Sequence, residues 1–92
     1  IPKTFEISEP YPNPFNPSTK IVYKLNETSN ISINIYDING KLIKALVNGI
    51  KKSGTYIMNL ELEGNKYSSG IYFVSFTANN NYKVTKKLIY IK

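Results

Sequence analysis

The sequence predicts an all-β protein, an immunoglobulin-like antiparallel β-sandwich of about seven strands. The clearest sign is the segment 31–35, which has isoleucine at every second position and small polar residues between. Such alternation is typical of a strand with one buried face and one wet face. Similar segments recur along the chain, and polar turns separate them at intervals of roughly 8–12 residues. This spacing favours a sandwich of short strands.

The other predicted strands rest on comparable patterns. Alternation and β-branched or aromatic residues indicate strands over residues 4–8, 20–25, 31–35, 41–47, 53–62, 71–78 and 82–91. Residues 41–47 also fit a helical stripe, but the segment is short and lies between two Asn-Gly pairs, so a strand is predicted. Residues 71–78 are apolar on nearly both faces, which predicts a central position in a sheet.

The last predicted strand, residues 82–91, changes its apolar phase along its length. Tyr82 and Val84 belong to one alternating series, whereas Ile89 and Ile91 belong to the other. A change of phase near Lys86 predicts either a β-bulge or a strand at the edge of its sheet.

Residues 11–19 form a proline-rich segment that we call the proline strap. Pro12, Pro14 and Pro17 lie within it, Pro10 precedes it, and no proline follows it. Proline fixes φ, lacks an N–H donor and restricts the residue before it, so the strap is predicted to be neither a helix nor a central strand. We interpret residues 1–9 as a linker or short edge strand, and residues 10–92 as the domain proper.

The composition excludes several classes of function. The chain has no cysteine and no histidine, which excludes disulfides, thiolate metal sites and a conventional serine triad. The net charge of +6 comes from lysine without any arginine, the residue that sequence-specific DNA readers favour. We therefore interpret the lysines as a solvated surface that protects sheet edges, in preference to a site for polyanions such as nucleic acid.

No set of residues predicts catalysis or metal binding. Glu61 and Glu63 share a strand face, but that face points outward, which indicates a pair of surface charges and not a catalytic pair. The sequence Asp37-x-Asn39-Gly40 is similar to part of a calcium loop, yet Lys41 follows where an oxygen ligand would belong. The sequence predicts an ordinary turn there, and a protein that is not an enzyme and uses no cofactor or small-molecule substrate.

Eight tyrosines raise the separate possibility of sugar binding. Tyr11, Tyr67, Tyr82 and Tyr90 lie outside the predicted core phase, and carbohydrate-binding sandwiches stack sugars on exposed rings. Because tryptophan is absent, we favour tyrosines that cover the sandwich edges, with the ring inward and the hydroxyl outward.

Five motifs follow one another in the order of a known family. They are Tyr11-Pro12-Asn13-Pro14-Phe15-Asn16-Pro17-Ser18-Thr19, Ile35-Tyr36-Asp37-Ile38-Asn39-Gly40-Lys41, Ser53-Gly54-Thr55-Tyr56, Ser68-Ser69-Gly70-Ile71-Tyr72-Phe73 and Lys86-Lys87-Leu88-Ile89-Tyr90-Ile91-Lys92. With these motifs the chain resembles the type A C-terminal sorting domain, or Por secretion tail, of the bacterial type IX secretion system. That family occurs on secreted and cell-surface proteins of the Bacteroidetes. Its fold is similar to the immunoglobulin-like domain of the flagellar hook-capping protein.

The resemblance implies a non-catalytic secretion signal. A cargo protein fused on the N-terminal side would pass through the periplasm and the outer-membrane type IX translocon to the cell surface or outside. A sortase-like peptidase would then remove the domain by cutting around residues 1–9. The alternative function is an ancillary immunoglobulin-like or carbohydrate-binding module of a secreted glycoside hydrolase.

The resemblance also implies roles for individual residues. The implied sorting-signal residues are Gly70, Ile71, Tyr72, Lys86, Lys87 and Leu88. The implied structural residues are Pro12, Asn13, Pro14, Asp37, Gly40, Gly54 and Tyr56. We expect the terminal strand to be an exposed edge that the translocon reads by β-addition, because backbone bonds then supply affinity and alternate side chains supply specificity.

Overall fold

Seven strands form from the alternating segments in the computed structural model, which describes residues 5–64, 66–79 and 82–91. The strands are Phe5–Ile7 (β1), Ser18–Leu25 (β2), Ser29–Tyr36 (β3), Leu42–Lys51 (β4), Gly54–Glu61 (β5), Gly70–Ala78 (β6) and Tyr82–Tyr90 (β7). These residues include no helix, and thus none that could cross a membrane. The predicted all-β class and strand number are confirmed. Residues 1–4 of the expected linker and Lys92 of the last motif lie outside the described residues.

The strands form two antiparallel sheets that face each other. One sheet has the order β1-β2-β5 and the other has the order β4-β3-β6-β7. In constant-type immunoglobulin domains the fourth strand joins the sheet of the first, second and fifth strands, whereas here β4 pairs with β3. The predicted central position of β6 is confirmed, because β6 lies between β3 and β7.

The core consists of the inward side chains of both sheets, together with Phe15 of the proline strap and Leu62, which follows β5. Its buried hydrophobic residues are Phe5, Phe15, Ile21, Tyr23, Leu25, Ile31, Ile33, Ile35, Met58, Leu60, Leu62, Tyr72, Val74, Phe76, Ala78, Leu88 and Tyr90. The strictly alternating β3 supplies Ile31, Ile33 and Ile35, which are at most 2% exposed. Ser32 and Asn34 on its other face are half-buried and hydrogen-bonded to each other. Alternation therefore predicted the buried face of β3 correctly.

The segment that fitted both a helix and a strand is the edge strand β4. It pairs with β3 in a register that shifts twice, between Ile33 and Asn34 and between Ile35 and Tyr36. Its side chains are exposed or half-buried, which leaves Leu42 52% exposed. The shifts and the shallow burial explain why its sequence carries no clean period of two.

The bulge considered for β7 is wrong, and the edge position is correct. β7 pairs with β6 in one unbroken register from Tyr82 to Tyr90, and it is the last strand of its sheet. Leu88 and Tyr90 are buried, so the inward series that starts at Tyr82 and Val84 continues to the end of the strand. The apolar pattern of the sequence is interrupted because the inward position between Val84 and Leu88 is Lys86, whose amine forms an ion pair with Glu9.

The tyrosines are mostly part of the sandwich. Tyr90 is 2% exposed and packs against Phe15, with 5.3 Å between the ring centroids. Tyr23 stacks on Tyr56 at 5.2 Å, and burial together with the nearby Tyr56 raises the pKa of Tyr23 above its ordinary value. Tyr11, by contrast, is 81% exposed. Tyr90 therefore cannot be the surface sugar platform that was considered for it.

Burial predicts a large difference between two strand isoleucines. Ile33 is fully buried, whereas Ile57 is 63% exposed. We expect Ile33→Ala to lower the free energy of unfolding by about 2–5 kcal/mol, because it leaves a cavity in the core. Ile57→Ala, the matched control, should change it by less than about 1 kcal/mol. Urea unfolding followed by circular dichroism measures both values, and equal losses would contradict the core described above.

Candidate functional site

The six residues implied as the sorting signal meet on one hairpin, formed by β6 and β7. Ile71 lies opposite Ile89, Tyr72 opposite Leu88, and Phe73 opposite Lys87. The two segments, residues 70–72 and 86–88, are therefore adjacent across the strands although they are separate in the sequence. They form one continuous region at the start of β6 and the end of β7.

The pleat of the hairpin divides these residues between two faces. Tyr72 and Leu88 point into the core and are 7% and 0% exposed. Ile71, which is 38% exposed, and the exposed Lys87 lie on the outer face of the sheet. A partner of the folded domain can touch Ile71 and Lys87, whereas Tyr72 and Leu88 are buried in the core and out of its reach.

Tyr72 is held by a hydrogen bond to the loop before β6. Its hydroxyl donates to the Ser68 carbonyl at 2.7 Å. A tyrosine near the start of the sixth strand that bonds backwards to the chain in this way is the tyrosine corner of immunoglobulin-like sandwiches. Gly70 starts β6 with φ at +155°, a conformation that favours glycine. The implied signal residues Gly70 and Tyr72 therefore have a structural role.

The motif around Gly54 repeats this arrangement at the start of β5. The Tyr56 hydroxyl donates to the Lys52 carbonyl at 2.6 Å, and Gly54 has φ at +148°. The pattern Ser-Gly-x-Tyr thus occurs twice and begins a strand each time, at residues 53–56 and 69–72. The repeated letters are a visible sign of this equivalence in the sequence, although the two motifs were predicted separately.

The turn between β3 and β4 uses its aspartate internally. Asp37 Oδ1 accepts hydrogen bonds from the backbone N–H groups of Asn39 and Lys41, both at 2.9 Å. Gly40 closes the turn by donating to the Asp37 carbonyl, with φ at +84°. The Asp37 carboxylate is therefore engaged in an ordinary turn. Among the described residues, no three acidic, histidine or cysteine side chains group together to hold a metal ion.

The proline strap pairs with the outer edge of β7. The Asn13 side-chain amide donates to the Lys87 carbonyl at 3.0 Å and accepts from the Ile89 N–H at 2.9 Å. Phe15 continues the contact, since its N–H donates to the Ile89 carbonyl and its carbonyl accepts from Ile91. The end of the terminal strand, expected to be an open edge, is covered by the strap.

The strap also connects the two sheets. Tyr11 exchanges two backbone hydrogen bonds of 3.0 Å with Lys20 of β2. The Thr19 hydroxyl donates to the Pro12 carbonyl at 2.7 Å. Pro12 and Pro14 flank Asn13, and neither has an N–H of its own to donate to β7, so the bonds to β7 at this point come from the Asn13 side-chain amide. The structural roles implied for Pro12, Asn13 and Pro14 stay predictions.

Comparison with known protein families identifies the class of the protein. Residues 9–92 match the family model described as the secretion system C-terminal sorting domain. No match was found among curated proteins or solved structures. The chain belongs to the family of type IX secretion sorting domains, as its motifs had suggested. It is a sorting signal that directs the protein carrying it to the cell surface or outside and interacts with the secretion machinery.

The Asn13 contact predicts a measurable contribution to stability. Asn13→Ala removes both bonds to β7, and we expect a loss of about 1 kcal/mol in the free energy of unfolding, because water partly replaces the bonds. The Ile89 amide should also exchange with solvent faster. Asn59→Ala, at an exposed position of β5, is the matched control and should change neither quantity. Unchanged Ile89 exchange in Asn13→Ala would contradict the pairing.

The two tyrosine hydroxyls predict unequal effects. Tyr72→Phe leaves the Ser68 carbonyl without its partly buried partner, so a loss of about 1–2 kcal/mol is expected. The equivalent Tyr56→Phe frees a solvent-exposed carbonyl and should cost less than Tyr72→Phe. Chemical denaturation of both variants makes the comparison, and the reverse order would contradict the corner assignment.

Proposed function

We propose that the outer-membrane translocon binds the folded sandwich on the outer face of the β6–β7 hairpin. The observation that carries this proposal is the register that brings the two motif segments together, with Phe73 opposite Lys87 and Ile71 opposite Ile89. Half-buried Phe73 and Ile89 adjoin the more exposed Ile71 and Lys87. A partner would meet an apolar patch with a lysine at its border, a combination typical of the centre and rim of interfaces.

The remaining signal residues act in this proposal by shaping that surface. Tyr72 and Leu88 hold the two strands in register from the core side, and Gly70 sets the direction in which β6 begins. Lys86 forms an ion pair with Glu9, which fixes its side chain on the groove side of β7 and not on the hairpin's outer face. Contact with the translocon is therefore assigned to Ile71 and Lys87.

We further propose that the domain is non-catalytic and is removed by a sortase-like peptidase. The cargo would be fused on the N-terminal side and would cross the periplasm before reaching the translocon. Phe5 is 1% exposed and β1 is hydrogen-bonded to β2, so cutting within β1 requires the strand to leave its sheet. We accordingly place the cut before Phe5, which keeps β1 and the domain from residue 10 onward in one folded unit.

A reporter fused to the domain tests the proposed surface in a bacterium that has type IX secretion. The double variant Ile71→Ser and Lys87→Glu removes the apolar and the charged contact while leaving the core intact. We expect the secreted fraction to fall about tenfold or more, since a few central residues carry most interface energy. The measurement is the reporter's distribution between the medium or surface and the cell interior.

A matched control lies on the other sheet. Ile57→Ser with Lys20→Glu makes the same chemical changes at exposed positions of β5 and β2. This variant should be sorted like the unmodified domain. Equal sorting of both double variants, or equal failure of both when both remain folded, would overturn the assignment to the hairpin face.

A further inference from the structure

The strap covers only part of the outer edge of β7. Ile89 directs its N–H and carbonyl toward the strap, so the alternate residues of β7 in the same series also direct their backbone groups outward. That series continues without a register shift through Lys87 and Thr85 to Lys83. Among the described residues, no backbone or side-chain group bonds to the outward groups of Lys83 and Thr85. Residues 83–87 therefore form an edge that is open except at the Lys87 carbonyl, which accepts the bond from Asn13 of the strap.

A partly apolar groove runs beside this open edge. It has a volume of about 610 Å³ and is lined by residues of β1, β2, β5 and β7 and by Ser8. Half-buried Ile7, Val22, Tyr82 and Val84 supply its apolar part, and Ser8, Thr55 and the charged Glu6, Lys24 and Lys86 supply the rest. A strand added to β7 would point every second side chain into this groove, because side chains alternate between the two faces of a sheet.

The opposite face of the open edge is basic. Lys83 and Lys87 are exposed on the outer face of the sheet, with Thr85 between them. A strand added next to them would place its outward side chains within reach of these lysines. Acidic residues at those positions gain attraction, whereas basic residues would be repelled.

We propose that residues 83–87 bind an extended segment of a partner protein in which apolar and acidic residues alternate. The segment adds to β7 as a further strand, its apolar residues enter the groove, and its acidic residues lie beside Lys83 and Lys87. The proposal rests on the proposed function for one point, namely that the secretion machinery presents this segment. The binding itself depends only on the edge, the groove and the charges.

The protein's own strap already uses this mode of contact. Phe15 forms a parallel bridge with Tyr90, and Asn13 continues the bonding to the Lys87 carbonyl. The edge of β7 thus already pairs with an extended segment, the strap, from Tyr90 back to the Lys87 carbonyl, where the open part begins. A second copy of the chain is a poorer occupant, because pairing of two β7 edges would bring two rows of lysines together.

Titration of the purified domain with a short peptide tests the proposal. The probe is a peptide in which valine and glutamate alternate, blocked at both ends. Amide NMR signals of residues 83–87 should shift on binding, and added salt should weaken the binding. A peptide that alternates valine and lysine should not bind. Shifts confined to β4 or β5, or equal binding of both peptides, would overturn the proposal.

Two variants of the domain separate the backbone contribution from the charges. Thr85→Pro removes an outward N–H that β6 does not use, so binding should weaken at least about tenfold, while Thr85→Val should bind normally. Lys83→Glu with Lys87→Glu should weaken binding about five- to tenfold. The control is Lys44→Glu with Lys52→Glu. Lys44 lies in β4, the opposite edge strand of the same sheet, and Lys52 follows that strand, so this variant should leave binding unchanged. The charge variant keeps the test decisive if Thr85→Pro does not fold.

Secretion of the reporter distinguishes this proposal from the proposed function. If the unmodified domain is not sorted, the proposed function fails. Lys83→Glu alone makes this distinction, because it leaves Lys87 of the hairpin face unchanged. If the unmodified domain is sorted, and Lys83→Glu binds the peptide more weakly yet is sorted equally well, the docking of the machinery on this edge fails while the sorting function stands. Loss of both peptide binding and sorting in Lys83→Glu, with Lys44→Glu unaffected, supports the proposal.

Discussion

The packing of Phe15 against Tyr90 is the contact on which the arrangement of the two chain ends depends. Both rings are at most 2% exposed, and Tyr90 also lies edge-on to Tyr72, with 6.4 Å between the centroids. The contact brings the proline strap, the last strand and the start of β6 to one place. Phe15 and Tyr90 are far apart in the sequence, so this part of the core depends on pairing between the two ends of the domain.

The pleat of the β6–β7 hairpin explains why the residues implied as the sorting signal include both buried and exposed members. Tyr72 and Leu88 are core residues, whereas Ile71 and Lys87 are accessible on the outer face of the same hairpin. Substitution of a buried residue such as Leu88 and substitution of an exposed residue such as Lys87 therefore have different physical effects. The first weakens the sandwich, and the second removes a contact without changing the fold. Only the second kind of substitution isolates recognition from stability.

The edges of the sandwich are protected in different ways. The strap hydrogen-bonds to the end of β7, and Lys86 points into the groove, where it pairs with Glu9. An inward charge and exposed lysines discourage indiscriminate pairing of edges. The open residues 83–87 keep this protection against basic or purely apolar strands, because the lysines remain beside them. Selectivity for an acidic strand follows from the same charges.

Local alternation in the sequence determined the strands and, for β2, β3 and β5, their buried faces, because a period of two directly encodes which side chains share a face. The Asp37 turn followed from turn chemistry for the same local reason. The tertiary structure alone decided that β4 joins β3, that Lys86 occupies an inward position of β7, and that Asn13 and Phe15 pair with residues 87–91. The motifs identified the residues of the hairpin, but not which of them are accessible. Pairing between distant segments depends on contacts across the whole core, which no short stretch of sequence contains.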